Sequence, residues 1–185
     1  IQIITKNTQY MSDTIDDFRD FLNPQKEMIA FEPKNSVEDV LSIFNAQLKN
    51  YNIKTTINST CNTSIYGVEN EFKQVIMIIL NNSKDAIKQK QKEDSSLDGT
   101  IYIKIDSQNE SLKIKMCDNG GGIKDDLLTQ IFDPYFSTKE NANGTGIGLY
   151  IAKNIVESRM KGKISVENIK DGCCFIISFP VIKDS

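Results

Sequence analysis

The chain has 185 residues, of which 39% are hydrophobic and 25% charged, a composition typical of one globular domain with a core. Its formal net charge of −3 excludes a broad basic surface for nucleic acid, and no apolar run approaches the roughly 18 residues of a membrane-spanning helix. Histidine is absent and the four cysteines form no C-x-x-C pair, so we expect reduced thiols rather than a zinc site or a disulfide framework. The chain lacks an initiator Met and a signal peptide, so we expect a cytoplasmic piece of a longer protein, without membrane contact of its own. Whether the full-length protein has a membrane anchor stays open.

Residues 1–22 carry apolar positions that alternate four and three apart, as in the seam of two packed helices. Asn23-Pro24 then ends the helix. The pattern predicts a helix that packs against a second helix along this seam, and the alternative is an amphipathic helix packed on its own domain. The seam positions are Ile4, Thr8, Met11, Ile15, Phe18 and Leu22.

Helices and short strands follow a predicted linker or edge strand at residues 23–35. Ser36, with Asp39 three residues later, is typical of a helix N-terminus. Apolar periodicity predicts helices from residue 36, over 69–90 and over 146–160, and strands at 53–57, 64–66, 101–105, 112–116, 163–167 and 173–180. One mixed, largely antiparallel sheet with helices on one face satisfies this order, so we predict an α+β fold of two layers.

Two glycine clusters, at residues 118–122 and 144–149, stand about 25 residues apart. Glycine lets a backbone approach a ligand closely, and the second cluster runs directly into a predicted helix. Amide groups at a helix N-terminus suit a phosphate. Either cluster alone is explained by a tight turn, whereas the ordered pair favours a site for a phosphate group.

On the long helix, residues at 100° intervals place a core face over Phe72, Ile79 and Ser83. Asn82 lies at the edge of that face, and Asn81 is predicted to point toward solvent. An amide oxygen at a cleft is a suitable ligand for Mg²⁺ that already carries triphosphate. A polar residue at a helix boundary is the plain structural alternative.

Asp118 ends a predicted strand at the mouth of the sheet. An ionised carboxylate only accepts hydrogen bonds, so it suits the exocyclic amine of adenine and repels the carbonyl of guanine. Gly120 and Gly122 would let the chain turn beneath the base. An Asx turn at the strand end is the alternative explanation.

Four segments, in this order and spacing, resemble the N, G1, F and G2 boxes of sensor histidine kinases: residues 82–86, 118–122, 132–136 and 144–148. The resemblance covers about residues 30–183 and extends weakly into 1–22. It implies a Bergerat-type sandwich preceded by one dimerisation helix. The implied domains are the end of a dimerisation and phosphoacceptor hairpin at 1–22, a linker at 23–35 and a catalytic ATP-binding domain at 36–183.

The resemblance further implies ATP and Mg²⁺ as cofactors, a response regulator as partner and a homodimer formed through the hairpin. The phosphoacceptor histidine would belong to a preceding helix, so no catalytic residue is assigned in this chain. Residues 132–143 would form a short nucleotide lid, with Lys139 reaching a phosphate. The implied ATP-binding residues are Asn82 (also the metal ligand), Asp85, Asp118, Gly120, Gly122, Ile123, Phe132, Thr138, Lys139, Gly144, Thr145, Gly146, Ile147, Gly148 and Leu149.

Three positions depart from the family pattern. Gyrase-type ATPases have a water-activating Glu where this chain has Ile78, which cannot act as a base. Asp85 stands where several kinases place a basic residue, and Cys173 stands where a Thr or Ser often supports adenine. The alternatives left open are a gyrase-type ATPase, an anti-sigma-type serine kinase and a nucleotide-binding module without catalysis.

Overall fold

The computed structural model describes residues 27–108, 110–137 and 146–181. The predicted dimerisation seam lies outside these ranges, and the division into hairpin, linker and catalytic domain stays a prediction. In chain order the elements are β1 (Ile29–Phe31), α1 (Pro33–Asn50), β2 (Ile53–Ser59), β3 (Ile65–Gly67), α2 (Glu69–Glu93), β4 (Gly99–Gln108), β5 (Ser111–Asp118), a 3-10 turn (Asp125–Leu127), α3 (Gly148–Lys153), β6 (Lys163–Ile169) and β7 (Gly172–Pro180). Helix α3 continues without a break as a π-helix over Asn154–Arg159.

The main sheet has five strands in the order β2-β4-β5-β7-β6. Strand β2 runs parallel to β4, and the other neighbours are antiparallel. Alternate residues of the central strands, such as Ile103, Ile114 and Ile177, are fully buried, whereas their neighbours in sequence face outward. The helices therefore cover one face of the sheet, and the predicted α+β fold of two layers is confirmed.

Helix α2 supplies much of the core beneath that face. The predicted inner face is confirmed, because each of its members is at most 1% exposed. Their spacing of three and four residues makes the apolar stripe that a surface helix needs to pack on a sheet. The members are Phe72, Val75, Ile76, Ile79, Ser83 and Ile87.

Two local predictions were wrong. Helix α1 begins at Pro33 rather than Ser36, since proline is favourable in a first helical turn. Ser36 is fully buried and donates a hydrogen bond of 2.9 Å to Glu69 Oε1 on α2, so it joins two helices instead of capping one. Strand β3 lies outside the main sheet and pairs with β1.

The cysteines also differ from expectation. Cys117 on β5 and Cys174 on β7 form a disulfide, while Cys61 and Cys173 are free. The antiparallel register sets Cys117 directly opposite Cys174, with Cα atoms 4.0 Å apart. The prediction failed because cysteine spacing along the chain does not reveal which strands are neighbours.

We expect Phe72→Ala to lower the free energy of unfolding by about 3–5 kcal/mol. The ring is fully buried, with its centroid 5.5 Å from that of Phe31 and 6.0 Å from that of Phe179, so truncation leaves a cavity between α2 and both sheets. Urea unfolding measures the change. The control is Ile43→Ala on α1, whose side chain is 73% exposed and whose loss should cost less than about 0.5 kcal/mol. Similar costs for both would contradict this packing.

Candidate nucleotide site

A buried carboxylate lies at the end of β5. Asp118 is 4% exposed and accepts hydrogen bonds from three parts of the chain. Ser83 Oγ of α2 donates to Oδ2 at 2.8 Å, Cys173 Sγ of β7 donates to Oδ2 at 3.5 Å, and the amide of Gly120 donates to Oδ1 at 2.9 Å. A carboxylate has about four acceptor positions, so these bonds leave room for one further donor.

The Cys173 thiol is a stable donor to this carboxylate. Burial raises the pKa of Cys173 well above its usual range, and the charge of Asp118 and the hydrogen bond raise the pKa further. The thiol therefore stays protonated through the physiological pH range. Cys173 takes the place where the family resemblance implies Thr or Ser, and it contacts the carboxylate directly.

The loop after Asp118 packs closely on α2. A Cβ placed on Gly120 would lie 2.7 Å from Ala86 Cβ, so only glycine fits between the loop and the helix. Asn119 holds the other side of the loop, because its Oδ1 accepts from the Thr100 amide and its Nδ2 donates to the Asp98 carbonyl, both at 2.8 Å.

The end of the loop is attached to β6 rather than to α2. Asn168 Oδ1 accepts from the Ile123 amide at 2.9 Å, and Asn168 Nδ2 donates to the Ile123 carbonyl. Gly122 has a φ of +78° beside this contact. The first glycine cluster is thus fixed by β4, β6 and α2 together.

The start of α3 contacts helix α2 at Ile78, one helical turn before Asn82. A Cβ placed on Gly148 would lie 3.5 Å from Ile78 Cγ2. Gly146 has a φ of +65° and sits against the backbone of Tyr135 and Phe136, which requires glycine there. Ile147 caps α3, and Gly148 and Leu149 open it, each partly buried.

Ile78, Asn82 and Ala86 are four residues apart and therefore form one stripe along α2. Ile78 faces the second glycine cluster and Ala86 faces the first. Asn82 lies between them, about 6 Å along the helix axis from each. Within the described ranges no hydrogen bond holds its partly buried side chain. Gly120 and Gly148 thus lie on either side of Asn82 along α2, and Asp118 bonds to the adjacent Ser83.

Asn81, the neighbour of Asn82, behaves differently from expectation. Asn81 does not point freely to solvent: it is half-buried, and its Oδ1 accepts from Lys84 Nζ at 2.7 Å. The same ammonium donates to Gln47 Oε1 of α1 at 3.1 Å and lies 4.0 Å from Asp85 Oδ1. The Lys84 ammonium therefore joins α2 to α1, a contact that the angular projection of α2 alone could not show.

The remaining predicted residues fall into two groups. Phe132 is buried at the base of its loop, with its ring edge-on to Phe175 at 6.4 Å between centroids. Thr138, Lys139, Gly144 and Thr145 lie outside the described residues. Sequence reasoning missed Ser83, Asn168 and the contact of Cys173. Ser83 left one signal, because a hydroxyl on a core face must find a partner.

No group of three or more Cys, Asp or Glu side chains in the described ranges could hold a metal ion. In the same part of the chain, no helix is both long and apolar enough to cross a membrane.

Comparison with known proteins identifies the family. A model of the histidine kinase-, DNA gyrase B- and HSP90-like ATPases matches residues 67–183, and the chain belongs to this family. Sporulation kinase E of Bacillus subtilis is 28% identical over 97% of this chain, which spans 23% of that kinase. The catalytic domain of histidine kinase ThkA is 26% identical, with a TM-score of 0.73 over 83% of this chain and 95% of that one. The structure of ThkA in complex with the response regulator TrrA has the same fold, at 22% identity and a TM-score of 0.71 over 97% of this chain and 50% of that one. The resemblance to sensor histidine kinases is confirmed.

We expect Ser83→Ala to destabilise the fold by about 1–3 kcal/mol, because it takes a donor from a buried carboxylate. Urea unfolding tests this. The control is Ser42→Ala on α1, where an exposed hydroxyl donates only to the Asp39 carbonyl and its loss should cost less than about 0.5 kcal/mol. Equal stability of the two variants would mean that the hydrogen bond from Ser83 to Asp118 contributes nothing to the fold.

Proposed function

We propose that the chain is the ATP-binding catalytic domain of a sensor histidine kinase. It would donate the γ-phosphoryl group of Mg²⁺-ATP to a histidine on a dimerisation helix. The observation that carries this proposal is the stripe of Ile78, Asn82 and Ala86 on α2. It sets Asn82 between the two glycine clusters and next to Ser83, which donates a hydrogen bond to Asp118. Kinase relatives that match across most of the chain support it.

Asp118 is the proposed adenine contact. Its remaining acceptor position suits the exocyclic amine of adenine, and its three existing bonds hold the carboxylate in place before a nucleotide arrives. Guanine would set a carbonyl against the carboxylate and leave acceptors without donors, which costs roughly 1–3 kcal/mol. Gly120, Gly122 and Ile123 would line the base from the loop.

Asn82 is the proposed metal ligand. Its carboxamide oxygen is a hard, neutral donor, and Mg²⁺ usually takes one or two protein ligands together with phosphate oxygens and water. This donor chemistry fits a cation that the triphosphate already neutralises. When bound, the ion would supply charge neutralisation to the phosphates. The phosphates would lie beside Asp85 and residues 144–149. Thr138 and Lys139 of the predicted lid would contact the phosphates as well.

The site supports transfer to a docked acceptor rather than hydrolysis. A gyrase-type ATPase needs a base to activate water, and the corresponding position here is Ile78, whose side chain packs toward Gly148. Phosphoryl transfer needs mainly positioning and charge neutralisation, which glycine loops and a helix terminus can supply. The acceptor histidine would come from another part of the full-length protein.

The proposed partners follow from the same function. A receiver domain of a response regulator would take the phosphoryl group, as the ThkA–TrrA complex suggests by analogy. A homodimer would form through the hairpin of which residues 1–22 are the end. We propose a cytoplasmic location for this domain.

We expect Asn82→Ala to lose most of the Mg²⁺-dependent part of its affinity for a non-hydrolysable ATP analogue, by about tenfold or more, because it removes the metal ligand. Calorimetric titration with and without Mg²⁺ measures this part. Asn70→Ala is the matched control, since Asn70 is an exposed amide in the first turn of the same helix. An unchanged Mg²⁺ dependence in Asn82→Ala would remove this residue from the metal site.

We expect the chain alone to be nearly silent with radiolabelled ATP and to label an added helical hairpin that carries the acceptor histidine. Lys139→Ala should slow this transfer by removing a phosphate contact. Rapid phosphate release by the chain alone would indicate an ATPase, and labelling of its own Ser or Thr would indicate a serine kinase. Tight ATP binding without transfer to the hairpin would indicate a binding module.

A further inference from the structure

The disulfide lies directly beside the carboxylate of the proposed adenine contact. Cys117 immediately precedes Asp118 on β5, and Cys174 immediately follows Cys173, whose thiol donates to Asp118. The bond therefore joins the two strand ends that carry these partners. It lies on the outer face of the sheet, because Cys117 alternates with the inward-facing Met116 and Asp118.

The two sulfur atoms differ in access from solvent. Cys117 is partly exposed on the outer face, whereas Cys174 is 1% exposed. Thiol–disulfide exchange requires a thiolate to approach one sulfur atom along the axis of the bond. The incoming thiolate can therefore attack Cys117, with Cys174 as the leaving group. Cys173 faces the core on the opposite side of β7, and its thiol already donates to Asp118, so it is not the resolving cysteine.

The loop after Asp118 is held by the hairpin of β6 and β7. The Gly121 amide donates to the Asp171 carbonyl at 3.0 Å, and Asn168 holds Ile123. Gly172 lies against the backbone of Asp118 so closely that a Cβ there would overlap the Asp118 carbonyl. A bond across Cys117 and Cys174 restricts separation of these strand ends, and with it displacement of Asp118 and its loop.

We propose that Cys117 and Cys174 form a thiol–disulfide exchange site whose redox state sets nucleotide affinity, the disulfide form binding more tightly. A small dithiol is the reactant class: it gives up two electrons and two protons, the Cys117–Cys174 bond breaks, each cysteine gains a hydrogen, and the dithiol closes into its own disulfide. Disulfides in cytosolic proteins are mostly transient or redox-sensing, which favours a switch over a permanent crosslink. The affinity part of this inference rests on the proposed function.

Thiol counting tests the exchange site without nucleotide. Protein equilibrated with oxidised dithiothreitol and then denatured should be alkylated at two of the four cysteines, Cys61 and Cys173, and prior reduced dithiothreitol should expose all four. Limited exposure of the folded disulfide form to reduced glutathione should trap the mixed disulfide on Cys117 and not on Cys174. Labelling of all four cysteines without reductant, or an adduct on Cys174 instead, would overturn the assignment.

Titration with ADP tests the coupling. We expect reduction to weaken ADP binding by about fivefold or more, a typical coupling between two sites. The double variant Cys117→Ser/Cys174→Ser should bind like the reduced protein and ignore dithiothreitol, whereas Cys61→Ser should respond like the parent chain. Circular dichroism of each form checks that it is folded.

The reverse measurement needs no variant. Since coupling is reciprocal, saturating ADP should lower the reduced fraction in a fixed ratio of reduced to oxidised dithiothreitol. Equal ADP affinity of both redox forms, or a reduced fraction that ADP leaves unchanged, would overturn the coupling. Failure of both forms to bind ADP would instead reject the proposed function together with the coupling, while thiol counting would still decide the exchange site.

Discussion

The buried carboxylate of Asp118 joins three elements that are far apart in the chain. A buried charge is costly unless hydrogen bonds replace the water that it loses, and here the donors come from α2, β7 and the loop after β5. Each donor can meet the carboxylate only if its own element is in the correct place. The network therefore couples the packing of α2 on the sheet to the shape of the nucleotide cleft.

The same requirement explains why Asn82 lies where it does. Ser83 must turn inward to reach Asp118, and a helix then places the preceding residue about 100° away, at the margin of the buried face. Close approaches at Ile78 and Ala86 fix the helix against both glycine clusters. The position of Asn82 thus follows from contacts that its neighbours make.

Most of the fold could be predicted because local periodicity records burial. The inner face of α2 and the alternation of β4 and β5 follow from apolar spacing alone. Contacts between distant segments could not be predicted in this way. Ser36 carries a helix-cap signal but bonds to Glu69, and Asn81 projects outward on a helical wheel but bonds to Lys84. The partner of Ser36 lies on another helix, and Lys84, although on the same helix as Asn81, also donates to Gln47 of α1, so contacts beyond the local pattern override the local preference in both cases.

The residues of the candidate site were likewise predictable where a local pattern marks them and not where only a distant contact does. Motif order pointed to Asn82, Asp118 and the glycines, because the family resemblance rests on the residue types at those positions. It gave no role to Ser83, whose one signal is a hydroxyl on a core face, or to Asn168, which holds the loop through hydrogen bonds and carries no distinctive pattern. The Cys117–Cys174 pair is the extreme case, since its cysteines stand 57 residues apart and meet only through strand register. Register also explains why this pair can matter for the site: strands that bring two cysteines together bring Asp118 and the 171–173 segment together as well. Any change that separates the ends of β5 and β7 must therefore act on the carboxylate and on its loop at once.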